Sequence, residues 1–409
     1  MTARLHRLSN GLIVAVEPMA GVETLAVGLY ADVGSRSEGP GGGGLAHMVE
    51  HMLFKGAGAR DARAIAEAAE DVGGQLNAWT SRDTTTFHAR LLPQDLGLGV
   101  ELIADLVRDP HLDADELERE KGVVLAELGE ARDTPDDIVF DHLQAACFPG
   151  QRLGDAVLGT EASIAAISVA DMRRWLAEQY RPSGLVLAAA GKVDEEALLR
   201  LAEARFGDLA AGSPPPPEPA RFTGGRHRDA RRFDQVHVAF AYPGLGARDP
   251  GLPALSLFAS AAGGGMSSRL FQQLREDRGL AYSVYGWTQA HAETGVLGVY
   301  LAAAKPQAGG AYQLAREVLA QTAEDLSEAE LGRAKAQARA GLLMGLESVQ
   351  ARADHLARQI QIHGRVVPVA ETVAEIDAVT LAQARAAGQR ALAGPEAVAS
   401  VGGKLAKAA

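Results

Sequence analysis

The sequence predicts an α+β fold made of two homologous αβ sandwich halves, and three observations carry that reading. The first is a seam: Gly212 and Ser213 are followed by Pro214, Pro215, Pro216 and Pro217, almost midway along the 409 residues. A proline run has fixed φ and no backbone donors, so it holds neither helix nor ladder and stiffens into polyproline II. The second is a duplication: residues 164–193 align without a gap on residues 376–405. Ile167, Ser168, Val169 and Ala170 then face Val379, Thr380, Leu381 and Ala382, and Gly191, Lys192 and Val193 face Gly403, Lys404 and Leu405. The third is the mixture of strand and helix signals in each half, which fits sandwiches better than a doubly wound Rossmann sheet. The expected division is residues 1–212, a proline-rich linker over 213–222, and a homologous half over 223–409. Each half is long enough to bury its own core.

In the first half, Ser9, Asn10 and Gly11 between apolar stretches read as a hairpin turn, and residues 25–31 as a buried strand. Gly39, Pro40, Gly41, Gly42, Gly43 and Gly44 read as a flexible lead-in to a helix that starts near Leu45. They are not a phosphate loop, because no Gly-Lys-Ser/Thr follows and no G-x-G-x-x-G spacing meets a strand-to-helix turn. Each repeat closes with a helix opened by a Ser168 or Thr380 N-cap, then an apolar strand at 185–190 or 397–401. In the second half, residues 236–240 take the place that 25–31 hold in the first.

Lys and Arg number 40 against 52 Asp and Glu, a formal charge of -12. That balance argues against nucleic acid or an anionic membrane as partner, since both demand basic residues, and a basic peptide is better matched. The first apolar stretch, residues 12–16, is far shorter than a secretory core or a membrane span, so the expected location is cytoplasmic. The single cysteine, Cys147, allows neither an internal disulfide nor a thiolate metal site; it reads as a small buried apolar side chain in a reducing compartment.

The helix from Leu45 contains His47, Met48, Val49, Glu50 and His51. At 3.6 residues per turn the two histidines share a face, with Glu50 beside them. Two imidazoles suit Zn²⁺, leaving a carboxylate to take a proton from water. With 11 histidines in the chain, chance supplies about 0.02 such H-x-x-E-H matches. Apolar Met48, Val49, Met52, Leu53 and Phe54 turn the histidines toward a structured interior. A catalytic zinc takes three protein ligands and leaves one position for water, and the helical segment 113–129 offers the third. There Asp113 and Glu116 resemble a capping pair. Glu120 and Glu127, seven apart, fall on one face, and Val123 and Val124 between them mark that face as buried, where a bare carboxylate needs a cation. The economical assignment makes Glu127 the ligand and Glu120 its orienting neighbour. The plain alternative puts both on a solvated acidic face with Glu116, Glu118 and Glu130.

H-x-x-E-H with Glu120 and Glu127 downstream resembles the inverted zinc motif of the pitrilysin-like (inverzincin) metallopeptidases. The stretch Gly74, Gln75, Leu76, Asn77, Ala78, Trp79 and Thr80 is similar to the edge strand on which that family lays its substrate, Asn77 and Ala78 being the matching positions. In the second half, Arg275 and Tyr282 match the family's Arg/Tyr pair, which holds the substrate carbonyl. Size and paired halves resemble the subgroup of mitochondrial processing peptidase and its bacterial relatives. Residues 138–143 are similar to its catalytic subunit, whose two acidic residues, matched here by Asp137 and Asp141, read a substrate arginine. Asp137 is one methylene shorter than the Glu usual there.

The resemblance implies two sandwich domains in a clam-shell arrangement and one Zn²⁺ per chain on His47, His51 and Glu127. It implies Glu50 as general base, Glu120 behind the ligands, and Arg275 and Tyr282 as donors to a substrate oxygen. The expected activity is a zinc endopeptidase cleaving extended or unfolded, basic peptides or presequences. Because one chain carries both the zinc motif and the Arg/Tyr pair, a homodimer is expected. The alternative is a non-catalytic or partner-dependent subunit, since the family includes respiratory core proteins that keep the fold without a working site.

Overall fold

The structure is a computed structural model of the chain that describes residues 3–39, 41 and 43–405; Pro40 and Gly42 of the glycine run lie outside the described residues. The strands are β1 (Arg4–Arg7), β2 (Ile13–Pro18), β3 (Leu25–Ala31), the short pair β4 (Gly56–Ala57) and β5 (Arg60–Asp61), β6 (Gln75–Thr80), β7 (Thr85–Leu91) and β8 (Leu185–Gly191), then β9 (Gly225–Asp229), β10 (Gln235–Pro243), β11 (Ser283–Ala290), β12 (Gly295–Ala304) and β13 (Ala397–Val401). The helices are α1 (Leu45–Leu53), α2 (Ala62–Glu70), α3 (Leu96–Arg108), α4 (Ala114–Asp133), α5 (Pro135–Cys147), α6 (Glu161–Ala166), α7 (Val169–Gln179), α8 (Glu195–Phe206), α9 (Leu252–Gly263), α10 (Ala308–Asp325), α11 (Glu328–Gly345), α12 (Val349–His363), α13 (Val369–Ala378) and α14 (Leu381–Leu392). Residues 210–224, around the proline run, carry neither helix nor strand. Among the described residues no helix is long and apolar enough to cross a membrane.

The chain forms two compact units, one of Met1–Leu128, Ala156–Glu218 and Leu343–Pro368, the other of Gly129–Asp155, Pro219–Leu342 and Val369–Ala409. The first holds a sheet in the order β1-β2-β8-β3-β7-β6, with β8 parallel to β2 and antiparallel to β3. Side chains alternate across it. Leu25, Val27 and Leu29 enter a core with Met48 and Met52 of α1, Ile103 of α3, Trp175 of α7 and Phe206 of α8. The opposite face is lined by small residues, Ala15, Ala26, Val186, Ala188 and Ala190, and meets Ala353, Leu356, Ala357 and Ile360 of α12. Tyr30 on this face donates to Asp354 of α12 at 2.7 Å.

The second unit repeats the plan in the order β11-β12-β10-β13-β9. Strands β10, β12 and β11 stand where β3, β7 and β6 stand in the first unit, and β9 runs parallel to β13 as β2 does to β8. Val236, Val238 and Phe240 face a core with α9, α10 and α14. Ala239, Ala241, Ala397 and Ala399 face Ile138, Val139, Leu143 and the fully buried Cys147 of α5. The duplicated caps are present: Ser168 and Thr380 each accept the backbone N–H three residues on and close a capping box. The turn at Ser9, Asn10 and Gly11 joins β1 to β2, with Gly11 at φ 102°.

The packing units differ from the contiguous division into residues 1–212 and 223–409. Helix α5 of the first half of the sequence covers the second sheet, and α12 of the second half covers the first. The physical reason is that each sheet has two apolar faces and its own half supplies helices for one. Leu356, 1% exposed on α12, therefore contributes to the first unit from more than 150 residues beyond its last strand. Leu356→Ala is expected to destabilise that unit by about 2–4 kcal/mol, seen as an earlier midpoint in urea unfolding followed by Trp175 fluorescence.

Candidate metal centre and active site

Helix α1 starts after Gly44, whose φ of 89° places it in the left-handed region; an added Cβ would fall 2.6 Å from Leu158 O. The helix has no side-chain cap at that position, and Glu38, itself buried, accepts from the Ala46 N–H at 2.8 Å instead. Ala46, Met48, Val49, Met52 and Leu53 are all fully buried in the core. With that stripe fixed inward, the helix period leaves His47, Glu50 and His51 along its half-buried side.

Helix α4 supplies the acids. Asp113 Oδ1 accepts from the N–H groups of Asp115 and Glu116 at 2.9 and 3.0 Å, but Glu116 pairs with Arg119 rather than closing a reciprocal cap. The buried stripe of α4 is Leu117, Glu120, Val124 and Leu128. Val123, expected inside with Val124, is 44% exposed, because it stands one residue, or 100° of helix, away from the inward line. The Glu120 side chain is 5% exposed and that of Glu127 40%, so one is interior and the other sits at the rim.

The two helices bring the donors together. Glu127 Oε2 lies 3.8 Å from His47 Nε2 and 3.6 Å from His51 Nε2, and the three ligand atoms all fall within 4.8 Å of one another. Bonds of 2.0–2.2 Å to a tetrahedral zinc imply ligand separations of about 3.3–3.6 Å. Two imidazole nitrogens and a carboxylate oxygen thus fit a zinc ion after small side-chain shifts. Behind them His51 Nδ1 donates to Glu120 Oε2 at 3.0 Å, and Lys55 Nζ donates to Glu120 Oε1 at 2.7 Å. Lys55 was missed by the sequence reading although a signal existed, since residues 47, 51 and 55 follow one another at four-residue spacing. Glu38 has no such local signal.

Burial, with His51 adding to it, lowers the His47 pKa to about 4. Burial also raises Glu50 above the ordinary carboxylate range, against a hydrogen bond from Thr80 and the nearby His51, which pull it down. One Glu50 oxygen, Oε2, is buried and has no hydrogen-bond partner among the described residues. A carboxylate so placed is a stronger base than one in water and has a free lone pair to receive a proton.

Asn77 and Ala78 lie on β6, opposite His88 and Phe87 of β7. Strand β6 ends the sheet, and among the described residues no strand pairs with its outer edge. Its main-chain groups there are available to an added strand. The other predicted residues belong to the second unit. Arg275 sits in a π-helical turn, Phe271–Glu276, with its guanidinium 4.9 Å over the Phe271 ring and 5.0 Å over that of Tyr282, which is 70% exposed. The structure therefore joins Arg275 and Tyr282 into one group. Asp137 and Asp141 lie on α5, where burial, then Asp141 and Asp136, raise the pKa of Asp137. Asp136, not singled out in the sequence, lines a cavity of about 340 Å³ with Phe271, Arg275, Ser283, Tyr285 and Tyr300.

Residues 13–161 match the family described as insulinase (peptidase family M16), and residues 166–338 match its companion, described as the peptidase M16 inactive domain. An uncharacterized zinc protease of Mycobacterium tuberculosis is 36% identical over 404 residues, covering 96% of this chain and 91% of that protein. The uncharacterized zinc protease YmxG of Bacillus subtilis is 32% identical over 378 residues, 92% of each. Among solved structures, a peptidase M16 inactive domain from Pseudomonas fluorescens superposes with a TM-score of 0.91 at 22% identity, covering 100% of this chain and 99% of that one. A chain of complex III2 from Candida albicans superposes at 0.86 with 23% identity, covering 97% and 95%. The chain belongs to the M16 peptidase family.

The His47 shift has a consequence for the metal-free protein. Above about pH 6.5 the ring is neutral in both folded and unfolded chains, so it does not affect stability. Between about 6.5 and 4 the unfolded chain takes up a proton that the folded one refuses, and stability is lost as pH falls. The His47 share of that loss is about 3 kcal/mol by pH 4. Urea unfolding of metal-free wild type and His47→Gln at pH 7 and pH 4 is expected to show the variant losing less by roughly that amount.

Proposed function

We propose that the protein is a zinc-dependent endopeptidase that cleaves extended peptides, with a preference for basic ones. The observation that carries this reading is the convergence of His47 Nε2, His51 Nε2 and Glu127 Oε2, with Glu50, on the same helix as the two histidines, burying an oxygen that has no hydrogen-bond partner among the described residues. His47, His51 and Glu127 would hold one Zn²⁺, which when bound supplies Lewis acidity to the scissile carbonyl and lowers the pKa of the attacking water toward about 7. Glu50 takes the proton of that water and returns it to the leaving amine. Glu120 keeps His51 oriented.

The substrate adds to β6 as an extra strand at Asn77 and Ala78, which favours unfolded segments because the main chain makes the bonds. Arg275 and Tyr282 donate to a substrate or transition-state oxygen. Asp137 and Asp141 attract a basic side chain, and the crowding that raises Asp137 is relieved by such a cation. Since one chain carries both groups of residues, it works without a different partner subunit, as a homodimer.

A second reading, a non-catalytic or partner-dependent subunit, takes support from the match of residues 166–338 to a family described as inactive. Incubation of the zinc-loaded protein with a quenched arginine-containing peptide, beside Glu50→Gln, separates the two. The proposal expects cleavage by the wild type, a loss of about 10²–10⁴-fold in the variant, and equal zinc content in both. Comparable activity of Glu50→Gln would remove Glu50 from its role. Zinc-bound but inert wild type would favour the second reading.

A further inference from the structure

Lys55 stands two residues beyond the end of α1, where its backbone N–H still bonds to Met52 O at 3.2 Å. The C-terminal end of a helix, with its free carbonyls, is a favourable place for an ammonium group. That ammonium reaches Oε1 of Glu120 at 2.7 Å, while Oε2 of the same carboxylate is 3.0 Å from His51 Nδ1. Glu120 is sealed from solvent, so these two donors rather than water hold its oxygens. A carboxylate is a rigid plane, and fixing one oxygen fixes the aim of the other.

The aim matters because a histidine whose Nδ1 donates to a carboxylate keeps the Nε2 lone pair for a metal. In His51 that Nε2 faces Glu127 at 3.6 Å. His47 has no comparable support among the described residues, where its buried Nδ1 finds no hydrogen-bond partner. The orientation of the two imidazoles as a set therefore depends on the one that is held from behind.

From this chain of contacts we infer that Lys55 is a positioning residue of the metal centre, acting through Glu120 to hold His51 in the orientation that binds zinc. The inference rests on the zinc reading above. Lys55 holds one oxygen of Glu120, and Glu120 holds His51.

The test is zinc affinity, measured on the full-length metal-free protein by competition with a chromogenic chelator. Lys55→Met keeps an unbranched apolar stem but removes the ammonium group, and is expected to weaken zinc binding by about tenfold or more. Lys55→Arg, which still donates to a carboxylate, should stay within about threefold of wild type. In a Glu120→Gln background, Lys55→Met should add less than about twofold, because the route through Glu120 is already gone. Thermal unfolding of each metal-free variant reports the fold separately. Wild-type affinity in Lys55→Met, or the same loss in both backgrounds, would overturn the inference. So would a lower melting temperature with zinc affinity unchanged, which would make Lys55 structural only. If the wild type itself binds no zinc, the zinc reading fails and this inference with it; if the wild type binds and Lys55→Met binds equally, only the role of Lys55 fails.

Discussion

A carboxylate sealed inside a protein must find its compensating charge and donors there too, and Glu120 meets that demand with Lys55 on one oxygen and His51 on the other. The site is arranged around this contact. It ties the end of α1 to the middle of α4 and sets which nitrogen of His51 is left over. That nitrogen faces Glu127 one face-repeat further along α4. Removing either donor would leave a desolvated anion beside His47, His51 and Glu127, so the group stands or falls as a unit rather than as a set of independent side chains.

The scaffold serves this contact by holding two helices that are distant in sequence. Helix α1 is fixed by its buried apolar stripe and, at its start, by Glu38; α4 is fixed by Leu117, Val124 and Leu128. The sheet beneath them has two apolar faces, and the second is closed by α12. The alanine-rich lining of that face, in β8 above all, lets α12 approach closely. The same solution appears in the second unit with α5, so the duplication extends to the helix each half donates.

Much of this was legible in the chain. The proline run, the repeat around Ser168 and Thr380, and the strands at 185–190 and 397–401 are local patterns, and local patterns survive without a structure. H-x-x-E-H was legible for the same reason, since five residues on one helix fix their own geometry. Glu120 and Glu127 were legible through helix period, although the exposure of Val123 was not, because a run of two valines does not say which one faces in. What stayed hidden depends on contacts between distant segments. The exchange of α5 and α12 leaves no periodic trace, because an amphipathic helix does not specify which sheet it covers. Glu38, eight residues before the N–H it accepts from, and Asp136, which joins Arg275 only around a cavity, belong to the same class. Lys55 lay between the two cases: its spacing was visible, and the carboxylate it serves was not.

His47, His51 and Glu127 are proposed here as a metal centre. Diffraction from zinc-loaded crystals at the zinc absorption edge tests it most directly. One strong anomalous peak per chain is expected, bonded to His47 Nε2, His51 Nε2 and a Glu127 oxygen at about 2.0–2.2 Å. A peak at another cluster, or full zinc occupancy in solution with no peak between these three side chains, would contradict it.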